Sequence, residues 1–314
     1  MNPDQKRSKS FSSSLAAATL AFITASGCTR IDPAARLEVM VPPDSVRKAV
    51  AHLFQKVDLQ VEQLRLQALE NDLIAIGPES IPALLDFALN GNSAQTGLAD
   101  MTLKRWGDRA IAPAIARLRS SDLTEDQTGH LKTIVTSQGE LSTDPVETLL
   151  TLPGAKDRQL AIDLAYRLEV NKLHSDSMPG ITGKFIPRQE HPPFGFSLKA
   201  RETFLHTIQR SPDPILREKT AVILRSYGWK NESIKDDLID CFKNENSENV
   251  KLALAGTLAD LASFETESSS RAIVDLITDS IKDNRDSELA MRTKTILHNL
   301  DFRRRNMMKW HYGP

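Results

Sequence analysis

The chain has 314 residues, which is enough for two ordinary domains or for one elongated repeat domain. Hydrophobic residues make up 40% of it and aromatic residues only 5%, so its apolar side chains are mostly Leu, Ile and Ala. This mixture favours helices built from repeats over a β-sandwich. The formal net charge of −1 lacks the basic excess that nucleic-acid binding requires, so we expect no nucleic-acid partner.

The first 28 residues have the organisation of an export signal. Three basic residues among the first nine are followed by an apolar run from Leu15 to Ala25, and small residues then lead to Cys28. The apolar run is too short to span a bilayer as a permanent helix. We therefore expect residues 1–27 to be a signal peptide that is removed from the mature protein.

The end of this segment resembles the signal of bacterial lipoproteins, in which small residues precede an invariant cysteine. Ser26, Gly27 and Cys28 match that pattern, whereas Ala25 replaces the Leu that is usual in the family. The resemblance implies that Cys28 is acylated, with diacylglycerol on its thiol, and anchors the chain to a membrane. Because Thr29 rather than Asp follows, it also implies the outer membrane, facing the periplasm, in a Gram-negative host. The alternatives are ordinary secretion with an incidental cysteine, or a cytosolic protein with an unusual N-terminus.

Residues 28–44 are predicted to form a tether, disordered like the signal before it. They contain three prolines and show little periodicity. Asp44 and Ser45 then offer an N-cap to a helix of about four turns. The folded body is expected to begin there.

The stretch Leu69–Leu89 predicts two helices folded back on each other. Gly77 and Pro78 end the first helix, since Gly is a common helix stop and Pro cannot continue a helix. Pro82 lies near the start of the second helix, where its missing N–H group costs nothing. The apolar stripes that identify the two helices are Leu69, Leu73 and Ile76, followed by Ile81, Leu84, Leu85 and Ala88.

The same unit recurs along the chain. Gly107 follows Gly77 by 30 residues, Gly139 follows Gly107 by 32, and Gly228 ends another helix of the same type. Each unit reads as a helix, a turn led by glycine, and a second helix, in most copies with a proline near its start. The three best copies cover residues 65–89, 98–119 and 130–152.

These units resemble HEAT repeats, the helical hairpins that stack into α-solenoids. The resemblance implies an all-α, right-handed α-solenoid in two groups of hairpins, residues 45–173 and 198–314. Each hairpin would bury its apolar stripe by stacking on its neighbours, and the stack would present a concave face to a protein or peptide partner. The alternative is a generic helical bundle in which the Gly-Pro spacing is a coincidence.

The helical pattern stops at residues 174–197, where four prolines and three glycines predict an irregular loop. A loop of this length is usually functional or flexible. It contains two histidines and two carboxylates that could hold a divalent metal, but no fixed spacing supports them, and we expect solvated side chains and no metal. These weak candidates are His174, Asp176, Glu190 and His191.

The same loop carries four large apolar residues that should not be left in water. They are expected either to pack back onto the solenoid or to contact a partner protein. The residues are Phe185, Ile186, Phe194 and Phe196.

No sequence motif indicates a reaction. The chain lacks a phosphate-binding loop, a nucleophile elbow, a zinc-binding H-E-x-x-H helix and a paired C-x-x-C. We therefore expect a non-enzymatic envelope lipoprotein that needs no cofactor and acts as a protein-binding scaffold. The alternatives are an enzyme or an accessory subunit of one, with its site in the 174–197 loop, and a structural spacer on the membrane.

Three smaller features carry expectations of their own. Trp106, just before a repeat glycine, and Cys241 are expected to belong to the core. Residues 303–314 are expected to be a frayed tail or a cap, or alternatively to lie on an anionic membrane. A locally basic repeat is expected to be a solvated face or a patch for an anionic partner; it holds Lys104, Arg105, Arg109, Arg117 and Arg119.

Overall fold

The computed structural model describes residues 37, 41–57, 63–120, 122–177, 196–225, 232–262, 267–282 and 287–312. Within these ranges all regular structure is helical, and no strand occurs. The all-α prediction is confirmed. The helices are α1 Asp44–Phe54, α2 Gln63–Ile76, α3 Ile81–Asn90, α4 Ser93–Trp106, α5 Asp108–Leu118, α6 Glu125–Thr136, α7 Thr143–Thr151, α8 Ala155–Ser177, α9 Leu198–Arg210, α10 Pro214–Leu224, α11 Glu232–Asn244, α12 Glu248–Ala262, α13 Glu267–Asp279 and α14 Glu288–Tyr312, with 3-10 turns at Pro78–Ser80 and Gly139–Ser142.

The helices pack in two interleaved series. Each even-numbered helix contacts the next even-numbered one, in the order α2, α4, α6, α8, α10, α12 and α14. The odd-numbered helices contact one another in the same way from α1 to α11. Each predicted hairpin thus contributes its first helix to the even series and its second helix to the odd series.

Glycine makes the turns inside the hairpins. Gly77, Gly107 and Gly139 have φ of 109°, 57° and 59°, in the region that favours glycine because it has no Cβ. No other described residue has a positive φ. Gly228 lies outside the described residues.

The core runs between the two series and is continuous from Leu37 to Leu300. The predicted stripes of α2 and α3 are buried in it, except that Ile76 is only half-buried. Phe54 of α1 stacks on Phe87 of α3, with ring centroids 4.0 Å apart. Because α8 also contacts α10, the residues before and after the predicted loop belong to one core rather than to two.

Some boundaries differ from the predictions. Helix α8 continues to Ser177, although its apolar period ends earlier, so residues 174–177 are helical. Helix α14 extends to Tyr312, so residues 303–312 of the predicted tail or cap are helical. Leu37, within the predicted tether, is only 2% exposed, and its carbonyl oxygen accepts a hydrogen bond from Arg119 Nη1 at 3.2 Å. The chain is thus attached to the body before the first helix begins.

None of the described helices combines the length and the apolar character needed to cross a bilayer.

Candidate partner-binding face

Two even-numbered helices begin with the same hydrogen-bonded device. In α4 the side chains and backbones of Asn92 and Gln95 cap each other at 3.0 Å, and in α6 Thr124 and Gln127 do so at 3.0 and 3.2 Å. Each glutamine has a second role, because its Nε2 also reaches the end of an odd-numbered helix. Gln95 donates to the carbonyl oxygen of Phe54 at 3.2 Å, and Gln127 donates to the side chain of Asn90 at 2.9 Å. The device fixes the start of α4 and of α6 against the odd-numbered helix that the glutamine reaches.

The device was not predicted, although the sequence carries a signal for it. The tripeptide Gln-Thr-Gly occurs at residues 95–97 and again at 127–129, which is 32 residues later. The capping residues Asn92 and Thr124 have the same offset, as do Gly107 and Gly139. The copies that contain α4 and α6 therefore share their helix starts as well as their turns.

Charged and polar side chains connect successive even-numbered helices, and we call this row of contacts the polar ladder. Between α2 and α4, Arg105 Nη1 donates to Asn71 Oδ1 at 2.8 Å and lies 3.6 Å from the buried carboxylate of Glu70. Between α4 and α6, His130 Nε2 lies 3.0 Å from Asp100 Oδ1. These contacts join hairpins at the level of the even helices.

Asp163 of α8 is the centre of the ladder. One of its carboxylate oxygens accepts from Lys132 Nζ of α6 at 3.0 Å, and the other accepts from Lys219 Nζ of α10. Burial by itself would raise the pKa of Asp163, but the hydrogen bonds and charges of the two lysines hold it below its ordinary value. One carboxylate thus joins three helices, of which α8 precedes the predicted loop and α10 follows it.

At Asp100 the effect of burial on the pKa is larger than the effect of the partner side chain. Burial raises the pKa of its carboxyl group above the ordinary value, and the contact with His130 only partly offsets this effect. The contact is half-exposed, with 31% of the His130 side chain and 38% of the Asp100 side chain accessible. This contact of the ladder is therefore weaker than the one at Asp163.

A groove opens on the even series at its C-terminal end. It has a volume of about 540 Å³ and lies over α12, with α10 and α14 as its walls. The α12 floor combines small or apolar residues, among them Ala253, Gly256 and Ala259, with polar ones, which are Asn249, Thr257 and Asp260. The α10 wall carries Glu218 and Val222 of the helix and Arg225 directly after it. The α14 wall carries Arg292, Thr295, Ile296 and Asn299.

Two contacts hold the groove in shape. Thr257 Oγ1 of α12 donates to the carbonyl oxygen of Ala221 at 2.8 Å, which connects the floor to the α10 wall. Arg225 of α10 is ion-paired with Asp260 of α12, and both residues line the groove. This ion pair is also the last contact of the polar ladder, so the ladder reaches the groove.

Most of the site residues predicted from the sequence lie outside the described residues. This applies to Cys28, Phe185, Ile186, Glu190, His191 and Phe194. His174 and Asp176 belong to the end of α8. Among the described residues, no three His, Cys, Asp or Glu side chains come together as metal ligands.

Phe196 follows the first of its two alternatives and packs back onto the fold. It is 8% exposed, and its ring meets the ring of Phe204 edge-on at 5.7 Å. Phe196 directly precedes Ser197, whose side-chain oxygen caps α9 by accepting a hydrogen bond from the Ala200 N–H group. The aromatic contact therefore anchors the beginning of α9.

The remaining candidates also have structural surroundings. Trp106 is half-buried against the core, and the Arg109 guanidinium lies 5.9 Å from its ring centroid. In the basic repeat, Arg117 pairs with Asp122 at 3.1 Å and Arg119 with Asp157 at 2.8 Å. These pairs, together with the contact of Arg105 to Glu70, neutralise much of the charge that could attract an anion.

Cys241 of α11 is half-buried and makes no disulfide. Burial, followed by the negative charges of Asp237, Asp240 and Glu245, raises the pKa of its thiol to about 11. The thiolate is the reactive form of cysteine, so this thiol has low reactivity near neutral pH.

Comparison with family models, curated proteins and solved structures gives no match to this chain. The candidate site is therefore defined by its geometry and charge.

Proposed function

We propose that this protein is a non-enzymatic lipoprotein of the bacterial envelope that binds a partner protein on its even-numbered helices. The helices would form a right-handed α-solenoid of HEAT-like hairpins, anchored by an acylated Cys28. The observation that carries the binding proposal is the groove over α12. A groove that combines small apolar residues with a few polar and charged groups is typical of a surface that binds another molecule.

The packing pattern supports the solenoid. In a repeat array each hairpin contacts mainly its neighbours, and here each even helix contacts the even helix before and after it. The 32-residue offset shared by the capping glutamines and the turn glycines supports the same reading. The first helix presents a polar outer surface, with Asp44, Arg47 and Lys48 exposed, as expected for the end of such an array.

Attachment at Cys28 would hold the body close to the membrane. Eight residues lie between Cys28 and Leu37, and Leu37 is the first described residue that packs into the core. An extended chain spans at most about 3.3–3.6 Å per residue, so the core would begin within about 30 Å of the lipid. A partner would therefore be recruited at the membrane surface.

Site-specific photo-crosslinking in living cells tests the binding function. A photoreactive residue at Ala253, on the groove floor, should give discrete crosslinked proteins. The matched control is Asp275, which is exposed on α13 in the odd series. Equal crosslinking at both positions, or none at Ala253, would count against the groove as the binding face.

A separate experiment tests the anchor. Cys28→Ala should abolish labelling by a palmitate analogue and move the protein from the membrane fraction to the soluble fraction. Cys241→Ala should change neither result, because Cys241 lies within α11. Unchanged labelling of the Cys28 variant would refute acylation at this residue.

A further inference from the structure

Three consecutive even-numbered helices give the groove the dimensions of a helix. Helix α12 packs against both α10 and α14 and lies at the bottom of the groove between them. Packed helices lie about 8–10 Å apart, so the axes of α10 and α14 are separated by up to about 16–20 Å. A helix with its side chains is about 10–12 Å across. The groove therefore has the width of one further helix above α12.

The floor lets another helix come close. Ala253 and Gly256 lie one turn apart on α12, and packed helices approach more closely where the side chains at the contact are small. A Cβ atom built on Gly256 would meet no heavy atom within 4 Å, so packing within the described part of the chain does not fill this space. The lining of α12 runs from Asn249 to Asp260, which is about three helical turns.

Apolar side chains surround the small residues of the floor. Leu252 of α12, Val222 of α10 and Ile296 of α14 line the groove and are half-buried. Ile215 is 61% exposed and lies seven residues before Val222, and this spacing places the two on the same face of α10. Ile215 thus extends the apolar rim of this wall. Because burial of such surface against apolar groups is favourable, the groove favours an occupant with apolar side chains.

The groove has little to offer the backbone of an extended peptide. All of its lining residues belong to α10, α12 and α14 or directly follow α10. Backbone groups in the middle of a helix are already hydrogen-bonded within that helix. An extended peptide gains affinity from main-chain hydrogen bonds to an exposed sheet edge, whereas a helix brings its own hydrogen-bonded backbone and needs only side-chain contacts. The groove therefore favours a helical occupant over an extended one.

The two walls carry charges of opposite sign that are not firmly paired. Glu218 of α10 makes no hydrogen bond or ion pair with any residue that the structure describes. Arg292 of α14 is 57% exposed and lies 3.9 Å from Glu288, and such an exposed pair contributes little. The other two charged residues of the lining, Arg225 and Asp260, are paired with each other. An occupant thus meets a negative charge on one wall and a positive charge on the other.

We infer that the groove binds an amphipathic helix of a partner protein. The apolar stripe of this helix lies on Ala253 and Gly256 over about three turns. Its flank towards α10 carries a basic residue for Glu218, and its flank towards α14 carries an acidic residue for Arg292. Because reversing the helix would exchange its flanks, the two charges also select its direction. The inference rests on the proposed protein-binding function and specifies the class of partner.

A random peptide library displayed on phage tests the inference on the full-length protein. The enriched peptides should carry apolar residues at helical spacing, with basic residues on one flank of the stripe and acidic residues on the other. A labelled synthetic copy of one such peptide then gives the affinity by fluorescence anisotropy. Proline at a central position outside the stripe should weaken its binding by about tenfold or more, whereas alanine at the same position should not.

Two glycine variants locate the peptide on the protein. Gly256→Leu fills the floor and should weaken binding by about tenfold or more. The matched control is Gly97→Leu, because Gly97 also lies inside an even-numbered helix, α4, but is not part of the groove. A Cβ atom built at either glycine meets no heavy atom within 4 Å, so both variants should fold as well as the wild type. The control should bind the peptide unchanged.

A charge exchange tests the direction of the helix. Glu218→Lys should weaken binding by about threefold to tenfold, because it places like charges opposite each other. Replacing the basic flank residue of the peptide with Glu should restore the affinity for this variant and lower it for the wild type. Exchange at Arg292→Glu should give the same pattern with the acidic flank residue. Absence of rescue at both positions would refute the inferred direction.

Four results would overturn the inference. They are no enrichment, enriched peptides that tolerate proline, equal loss of affinity in Gly256→Leu and Gly97→Leu, and a dimer of the protein alone that Gly256→Leu dissociates. The last result would assign the groove to a second copy of the chain. Proline-tolerant peptides together with crosslinks from Ala253 would preserve the binding function and refute only the helical occupant, whereas absence of both peptides and crosslinks would refute both.

Discussion

Replacing Asp163 with asparagine removes the charge that joins three helices of the even series. The carboxylate holds Lys132 of α6 and Lys219 of α10 from its position on α8. Asparagine keeps the size of the side chain and can still accept one hydrogen bond. The substitution therefore tests charge and not volume, and it leaves two lysines without their counterion.

The expected magnitude follows from burial. The side chains of Asp163 and Lys132 are each 17% exposed, and that of Lys219 is 30% exposed. Hydrogen bonds that involve charged groups contribute about 1.5–3 kcal/mol each, and a charge left partly buried adds to the loss. Because one hydrogen bond survives and solvent screens Lys219, we expect the free energy of unfolding to fall by about 2–3 kcal/mol.

Urea denaturation followed by circular dichroism measures this loss. Asp122→Asn is the matched control, because Asp122 also pairs with an arginine but its side chain is 64% exposed. It should leave the midpoint unchanged. A loss at Asp163 no larger than that at Asp122 would refute the idea that the ladder stabilises the stack.

The pH dependence gives a second check on the same variant. The pKa of Asp163 lies below the ordinary 3.8 in the folded protein, so its stabilisation is fully present above that value. It is lost as the pH falls through the lower, folded-state pKa. The difference in stability between the wild type and Asp163→Asn should therefore be constant near neutral pH and shrink in strong acid. A difference that grows with acid would contradict this sign.

Three further outcomes are expected. Gly107→Ala should lower the free energy of unfolding by about 1–3 kcal/mol because of the φ of 57°, whereas Gly129→Ala, inside α6 with open space at the Cβ, should raise it by about 0.4–1 kcal/mol. Thermal unfolding of the two variants distinguishes these effects, and equal shifts would contradict the assignment of the turn. Leu37→Ala should lower the free energy of unfolding measured in urea by about 2–4 kcal/mol, because Leu37 is only 2% exposed. A change near zero would show that Leu37 does not pack into the core. Cys241 should react slowly with iodoacetamide at pH 8 and rapidly after denaturation, because its pKa is about 11; fast reaction in the native protein would be inconsistent with its burial.

The turns and the helical stripes could be predicted because their causes are local. A turn with positive φ favours glycine, which is found at Gly77 and Gly139. A buried helix face requires apolar residues at the 3.6-residue period, which is seen around Leu73. The repeat of Gln95 at Gln127 was equally visible in the sequence. It escaped prediction because Gln95 and Gln127 are polar and belong neither to the glycine turns nor to the apolar stripes that identify the repeat.

Other features depend on contacts between distant residues and had no local signal. Leu37 is a single apolar residue in an aperiodic segment, so nothing nearby marks it as buried. The partners of Asp163 lie 31 and 56 residues away. The groove also escaped prediction, since it arises from the small size of Gly256 relative to side chains on two other helices.

The polar ladder and the groove have different roles in the even series, since the ladder contributes to stacking and the groove to binding. From α2 to α10, charged side chains of adjacent helices are largely engaged with one another, and such contacts contribute to stacking. At α12 the half-buried residues Ala253 and Gly256 are too short to bridge to a neighbouring helix, and the groove opens there. Asp163→Asn should therefore reduce stability without changing the crosslinking from Ala253, and Gly256→Leu, which adds a side chain to the groove, should reduce the crosslinking without reducing stability. Denaturation and crosslinking measured in parallel on the two variants test this separation, and a single variant that changes both quantities strongly would show that stacking and binding are coupled.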